Sequence, residues 1–455
     1  MEVRPGSAPL TKWQQPFAAG ITDVFKVQAD IAGQVASAMN VALSSPQQQA
    51  LAKQPTANLA AYQAFLKGEA ASKSQGVASP ASLRRAIGFY KQAVALDSSF
   101  VAAWAGLSEN SSLLYSHLSV VGAPSLEVAD RARSAADRAL ALNPEHPDGY
   151  RALGDYYRLI PATPARAIEQ YAKGLKLAPG DADLLRGLGL AEQSLGQWEQ
   201  SVEHLRRSQS LDPRSVSTTA NLGQALLWLR RHAESLAALE LALAMEPSSL
   251  SSIEGKAMNF LAQADLAQAR ATLARPPAGV DLPSFVAYMA AWWDLYWALS
   301  QEQRALLRRL TPAAFEGDAG AWGLALAGAY EVDGDMTRAA AYADSARAAF
   351  EQDLTTTPDD PHRLVLLGVA LAYMGRRDEA VRAGKQGVAL LPGGTYFQHQ
   401  LARIYILVGE PDKALDQLEP LLKIPYYLSP GWLKIDPTFA PLRGNPRFQR
   451  LVDGG

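Results

Sequence analysis

Six histidines, His117, His146, His204, His232, His362 and His399, are the residues from which metal or acid–base chemistry could be built. No two stand four apart, so a zinc site formed by two imidazoles on one helical face is not predicted. The chain has no cysteine, which excludes disulfides, thiolate metal sites and a cysteine nucleophile. Gly187-Leu188-Gly189-Leu190-Ala191-Glu192 begins like a dinucleotide-binding loop but lacks the third glycine and falls inside a helical pattern. Such a loop needs a strand-to-helix turn to aim its amides at phosphate. Gly384-Lys385-Gln386 likewise lacks the rest of a phosphate loop. No catalytic residue, metal ligand or cofactor-binding residue is therefore expected.

Binding chemistry is better represented. Trp292, Trp293, Tyr296 and Trp297 form the densest aromatic cluster. Phe285, Tyr288, Trp292 and Tyr296 read as one helical stripe, with Trp293 and Trp297 beside it. One stripe suits core packing. Two adjacent stripes are wide for a single buried face, so the remainder could line a small-molecule pocket or a seam with a second copy of the chain.

The elements that must position these residues show a period. Pro179, Pro213 and Pro247 are 34 apart, as are Gly189 and Gly223, Ser201 and Ser235, Gly375 and Gly409, and Ala380 and Ala414. From Leu188-Gly189 the pattern runs through Ser201, Leu205 and Ser208 to Pro213. From Leu222-Gly223 it runs through Ser235, Leu239 and Ala242 to Pro247, and from Leu367-Gly368 through Ala380, Gly384 and Gly387 to Pro392. Small residues recur where two helices must cross closely, and proline follows a helix that it cannot continue. Earlier units drift more: Tyr150, Leu153, Gly154 and Tyr157 open one that Ala167, Tyr171, Gly174 and Pro179 close. Residues 250–355 lose the register but keep amphipathic spacing.

These units resemble tetratricopeptide repeats, whose period is about 34 residues. The resemblance covers residues 57–428 and implies an all-α solenoid of about ten antiparallel helix pairs wound into a right-handed superhelix. It also implies that the first helix of each pair lines a concave groove. On that face stand Asp148, Arg151, Asp155 and Arg158 in one unit and Tyr396, His399, Arg403 and Ile406 in the last. The alternating charges suit either pairing within one helix or a polar groove that reads a protein or extended peptide. Leu190 and Gln224 stand where chaperone-binding members carry groove asparagines, so capture of a C-terminal carboxylate is not expected.

Both ends carry a second resemblance. Trp13-Gln14 and Asp23-Val24-Phe25-Lys26-Val27-Gln28-Ala29-Asp30-Ile31-Ala32 are similar to the last strand and helix of a TolB-like domain. Trp432-Leu433, Asp436-Pro437-Thr438-Phe439 and Leu442-Arg443-Gly444-Asn445-Pro446-Arg447-Phe448 are similar to the ending of bacterial regulators in which a serine/threonine kinase or adenylate cyclase precedes such repeats. The resemblance implies a remnant of the preceding domain over residues 1–56, a capping tail over 429–455, and a sensory or docking arm of a signalling protein. Kinase and cyclase signatures do not occur, so no enzymatic activity is expected of these residues; a hydrolase or transferase hidden in 250–355 would need a clustered acid–base set that the sequence does not show.

Composition agrees. Lys and Arg number 43 against 45 Asp and Glu, interspersed, for a net charge of -2, which disfavours nucleic acid as a partner. There is no apolar run of bilayer-spanning length and no signal-peptide pattern at Met1, which points to the cytoplasm, or outside it if a longer parent carries an upstream membrane segment.

Overall fold

The computed structural model describes residues 55–72, 80–120, 124–160 and 162–453. The expected strand and helix of a TolB-like remnant fall before residue 55 and lie outside the described residues.

Each predicted unit is a pair of antiparallel helices. In chain order these are α1 (Leu59–Ser72) with α2 (Pro80–Leu96), α3 (Val101–Val120) with α4 (Leu126–Leu142), and α5 (Pro147–Leu159) with α6 (Pro164–Leu177). Next come α7 (Ala182–Gln193) with α8 (Trp198–Leu211), α9 (Val216–Trp228) with α10 (His232–Met245), and α11 (Leu250–Ala262) with the short α12 (Leu266–Leu273). An irregular stretch follows: α13 (Leu282–Ala291), a 3₁₀ turn (Leu295–Trp297), α14 (Gln301–Leu307) and a second 3₁₀ turn (Pro312–Phe315). Regular pairing resumes with α15 (Ala319–Val332) and α16 (Met336–Thr356), α17 (Pro361–Tyr373) and α18 (Arg377–Leu390), and α19 (Thr395–Leu407) and α20 (Pro411–Leu421). The chain ends in α21 (Pro430–Ile435), a 3₁₀ turn (Pro437–Leu442) and α22 (Pro446–Asp453). The fold is an all-α solenoid of tetratricopeptide type. Within residues 250–355, the sequence stretch that loses register, hairpin geometry persists at both ends and is broken only between α12 and α15.

Local chemistry sets the boundaries. Asp181 and Asp318 accept the amides of Leu184 and Ala321 at 2.9 and 2.8 Å, capping α7 and α15. From α7 onward, the turn inside each regular pair carries one left-handed residue. Gly196, Gly334, Gly375 and Gly409 supply it, and Arg230 (φ 57°) and Ala264 (φ 64°) take the same conformation at 34-residue steps after Gly196. Close crossings explain the small residues. Tyr171 is wedged between α5 and α7, where a Cβ on Gly154 or Gly187 would stand 2.5 or 2.6 Å from its ring. A Cβ on Gly223 would meet Leu239 Cγ at 2.7 Å.

Successive first helices pack on one another, α3 on α5, α9 on α11 and α17 on α19, which places them on the inside of the curve. The largest apolar core spans α9 to the C-terminus and includes the tail. That tail turns back into the concave side. Tyr426 donates its amide to the Trp228 carbonyl at 3.1 Å, Arg230 donates to the Leu428 carbonyl at 3.0 Å, and the Ser429 hydroxyl donates to the Ala262 carbonyl at 2.5 Å. Trp432 and Phe439 are fully buried beneath it. Burying a side chain of that size stabilises the closed form by about 1.5–3 kcal/mol each, so the tail is part of the core and not a loosely held flap.

Candidate functional site

A cavity of about 580 Å³ opens where the irregular stretch interrupts the hairpins. Its walls come from α13, both 3₁₀ turns' neighbourhoods, and the starts of α15, α17 and α19, with His117 reaching in from α3. The His117 Nε2 lies 2.5 Å from the Glu316 carboxylate, joining residues 199 apart in the chain.

The aromatic cluster divides here. The expected continuous helical stripe does not form, because α13 ends at Ala291 and Asp294 turns left-handed at φ 56°. Tyr296 and Trp297, carried on the 3₁₀ turn, are consequently rotated into the core. Tyr296 packs against α15, where a Cβ on Gly328 would stand 2.3 Å from its ring, and Trp297 meets Trp432 edge-on at 6.0 Å. Trp292 and Trp293 line the cavity instead, Trp292 being 41% exposed. Tyr288 leans on Trp292 at 5.9 Å, and Trp293 meets Tyr396 edge-on at 6.4 Å.

The polar groups on the walls are few and placed by helix ends. Asp294 and Glu316 are both non-glycine residues in the left-handed region, and both line the cavity. The Glu316 carboxyl is held below the usual carboxylate range by His117. Asp318 pairs with Arg363 at 3.2 Å, and Arg363 also faces Asp353 at 3.4 Å. His362 stacks on Tyr396 with ring centroids 5.5 Å apart. Burial, then the adjacent Arg363, pushes its imidazole down to about 4, so it is neutral at physiological pH. Behind Tyr288, burial pushes the Glu254 carboxyl well above the usual carboxylate range.

Of the groove residues on the last unit, Tyr396 lines the cavity while His399 and Arg403 are buried, 6% and 4% exposed. The Tyr427 hydroxyl lies 3.0 Å from His399 Nδ1. Arg403 donates to Asp294 at 2.9 Å, to the Tyr296 hydroxyl at 2.6 Å and to the Tyr373 hydroxyl at 3.3 Å. Their hydrogen bonds are thus made within the chain, because the returning tail and the irregular stretch fill the groove at this level. The earlier groove residues stand on a more open face. Asp148 and Arg151 pair at 3.4 Å and Asp155 and Arg158 at 2.9 Å, each within α5. Arg151 additionally reaches Glu109 on α3 at 3.0 Å and Asp183 on α7 at 3.8 Å, a charge ladder across three successive first helices. Among the described residues no cluster of three or more metal-ligating side chains occurs, and no helix is long and apolar enough to cross a membrane.

Sequence reasoning missed Asp294, Glu316 and Arg363, and set His362 aside with the other histidines. The one available signal was Arg363 itself, an arginine set before the apolar run Leu364-Val365-Leu366-Leu367.

No family model matches the sequence, and no curated protein matches it. Solved structures do align. TTC0263, a thermophilic TPR protein of Thermus thermophilus, is 17% identical with a TM-score of 0.37, over 44% of this chain and 100% of its own. Pseudomonas aeruginosa PilF is 20% identical with a TM-score of 0.32, over 56% and 96%. Human IFIT1, as a dimer with PPP-AAAA, is 13% identical with a TM-score of 0.43, over 81% and 79%. At these values the alignments carry nothing about the site, and the tetratricopeptide-type fold rests on the 34-residue period and on the hairpins themselves.

Proposed function

We propose that this chain is a protein-interaction scaffold that holds an extended partner segment along the inner face of α3, α5 and α7. The observation that carries the reading is the ladder from Glu109 through Arg151 to Asp183. Pairing within one helix would not need Arg151 to bridge three helices. The bridge spaces alternating charges along a groove, and an extended peptide meets such a groove with many weak contacts. The resemblance at both ends of the sequence supports a docking or sensory role in a bacterial signalling protein.

The test is a peptide-display selection on the intact chain, followed by affinity measurement on Asp183→Asn and on Arg186→Gln, the α7 arginine that pairs with Asp183 at 2.9 Å. Both positions are partly exposed, so neither change threatens the fold. Selected peptides should bind the native chain saturably and lose about threefold to tenfold in affinity to each variant. Peptides indifferent to both substitutions would place the binding face elsewhere.

A second reading has its own observation. The cavity beside Trp292 and Trp293 has the volume of a small-molecule site and concentrates aromatic faces around a few polar groups. On this reading the scaffold also senses a ligand.

A further inference from the structure

We propose that the cavity binds a small organic ammonium ion with an aromatic or branched apolar body. The proposal rests on reading the cavity as a ligand site and assigns its chemical class.

Charge decides the class first. Among the described residues, Asp294, Glu316 and Asp318 line the cavity against a single guanidinium, that of Arg363. Arg363 is 1% exposed and already faces Asp318 and Asp353. It therefore offers little to an incoming anion. Asp294 has Arg403 behind it, but its side chain remains 32% exposed and a carboxylate can accept several donors. Glu316 is the freest: its only ion-pair partner among the described residues is His117, and its side chain is 52% exposed. Among the described residues no free cation lines the cavity, so an anionic ligand would be desolvated beside carboxylates, whereas an ammonium finds acceptors on two sides.

The remaining walls suit the same ion. The faces of Trp292, Trp293, Tyr288 and Tyr396 carry the negative side of the aromatic quadrupole, which attracts a cation. A protonated His362 would oppose it, and this imidazole is neutral at physiological pH. Leu324, Leu366 and the alanines of α13 complete an apolar surface for the body of the ligand. A neutral ligand of the same shape would gain the apolar contact alone.

The experiment uses four probes that share one body: phenethylamine, benzyltrimethylammonium, 2-phenylethanol and 3-phenylpropionate. Binding to the full chain is read by calorimetry and by tryptophan emission at low salt, where screening is weakest. The two cations should bind saturably, the alcohol about tenfold more weakly, and the carboxylate not measurably. Glu316→Gln, at a half-exposed position, should weaken the cations about tenfold and leave the alcohol unchanged. Trp293→Leu should remove binding of all. If the alcohol or carboxylate binds as tightly as the cations, in a manner lost in Trp293→Leu, the ligand class is overturned and the site stands. If none of the four binds, or if Trp293→Leu changes nothing, the reading of the cavity as a ligand site falls with it.

Discussion

The guanidinium of Arg403 donates to the carboxylate of Asp294 at 2.9 Å, across 109 residues of chain. This bond ties α19, a regular first helix, to the left-handed turn that interrupts the repeats. It fixes where the irregular stretch sits and hence the floor of the cavity.

Arg403→Met should therefore cost about 1–2 kcal/mol, because the Tyr296 hydroxyl loses its partner while Asp294 keeps Gln400 and Tyr373 keeps Glu331. Asp294→Asn should cost about 3 kcal/mol or more, since it leaves the buried Arg403 guanidinium without its carboxylate, although asparagine tolerates the left-handed conformation. Denaturant unfolding of both variants checks the ranking. Equal losses would show that the pair is not the tie described.

The turn residues give a prediction of opposite sign. Ala264 holds φ 64° at the position where Gly196 stands two units earlier. Ala264→Gly should stabilise the chain by about 1 kcal/mol, as relief of left-handed strain outweighs the added freedom of the unfolded chain. The mirror change, Gly375→Ala, should destabilise by a similar amount. Thermal melts of the two should move in opposite directions.

Gly154→Ala should lower stability by about 1–3 kcal/mol through overpacking on Tyr171, whose ring stands 2.5 Å from the new Cβ. Tyr171→Leu should cost less in that variant than in the native chain, since the clashing ring edge is then already a liability. A double-mutant cycle with no coupling would mean that the clash is absorbed elsewhere.

Stability should also depend on pH through His399. Burial, and then Arg403, pushes this imidazole down to about 3 from an unperturbed 6.5. The unfolded chain takes up a proton below pH 6.5 that the folded chain refuses. The contribution is thus complete above the unperturbed value and is lost as pH falls toward the folded one, by up to about 1.4 kcal/mol per pH unit. His362, at about 4, acts in the same direction. Glu254 and Asp436, raised by burial, act oppositely, holding protons that the unfolded chain releases as pH rises past the usual carboxylate range. Comparing the native chain with His399→Gln isolates the imidazole: unfolding free energy measured from about pH 7 downward should fall less steeply in the variant.

The sequence by itself determined the repeats. Period, paired helices, close-crossing glycines and the buried alanines of the second helices are local facts, fixed by residues within about 34 positions of one another. Ser201, Ser208, Ser235, Ala242 and Ala380 could be placed at close crossings from spacing alone, and all five are buried. The curve of the solenoid decided the rest. His117 meets Glu316, Arg403 meets Asp294, and Ser429 meets Ala262 across 199, 109 and 167 residues. Those encounters sum small rotations over many hairpins, and no periodic pattern records the sum. The aromatic cluster shows the difference in one place. Its residue types announced a site, but a single left-handed aspartate turned Tyr296 and Trp297 into the core and left Trp292 and Trp293 on the cavity wall.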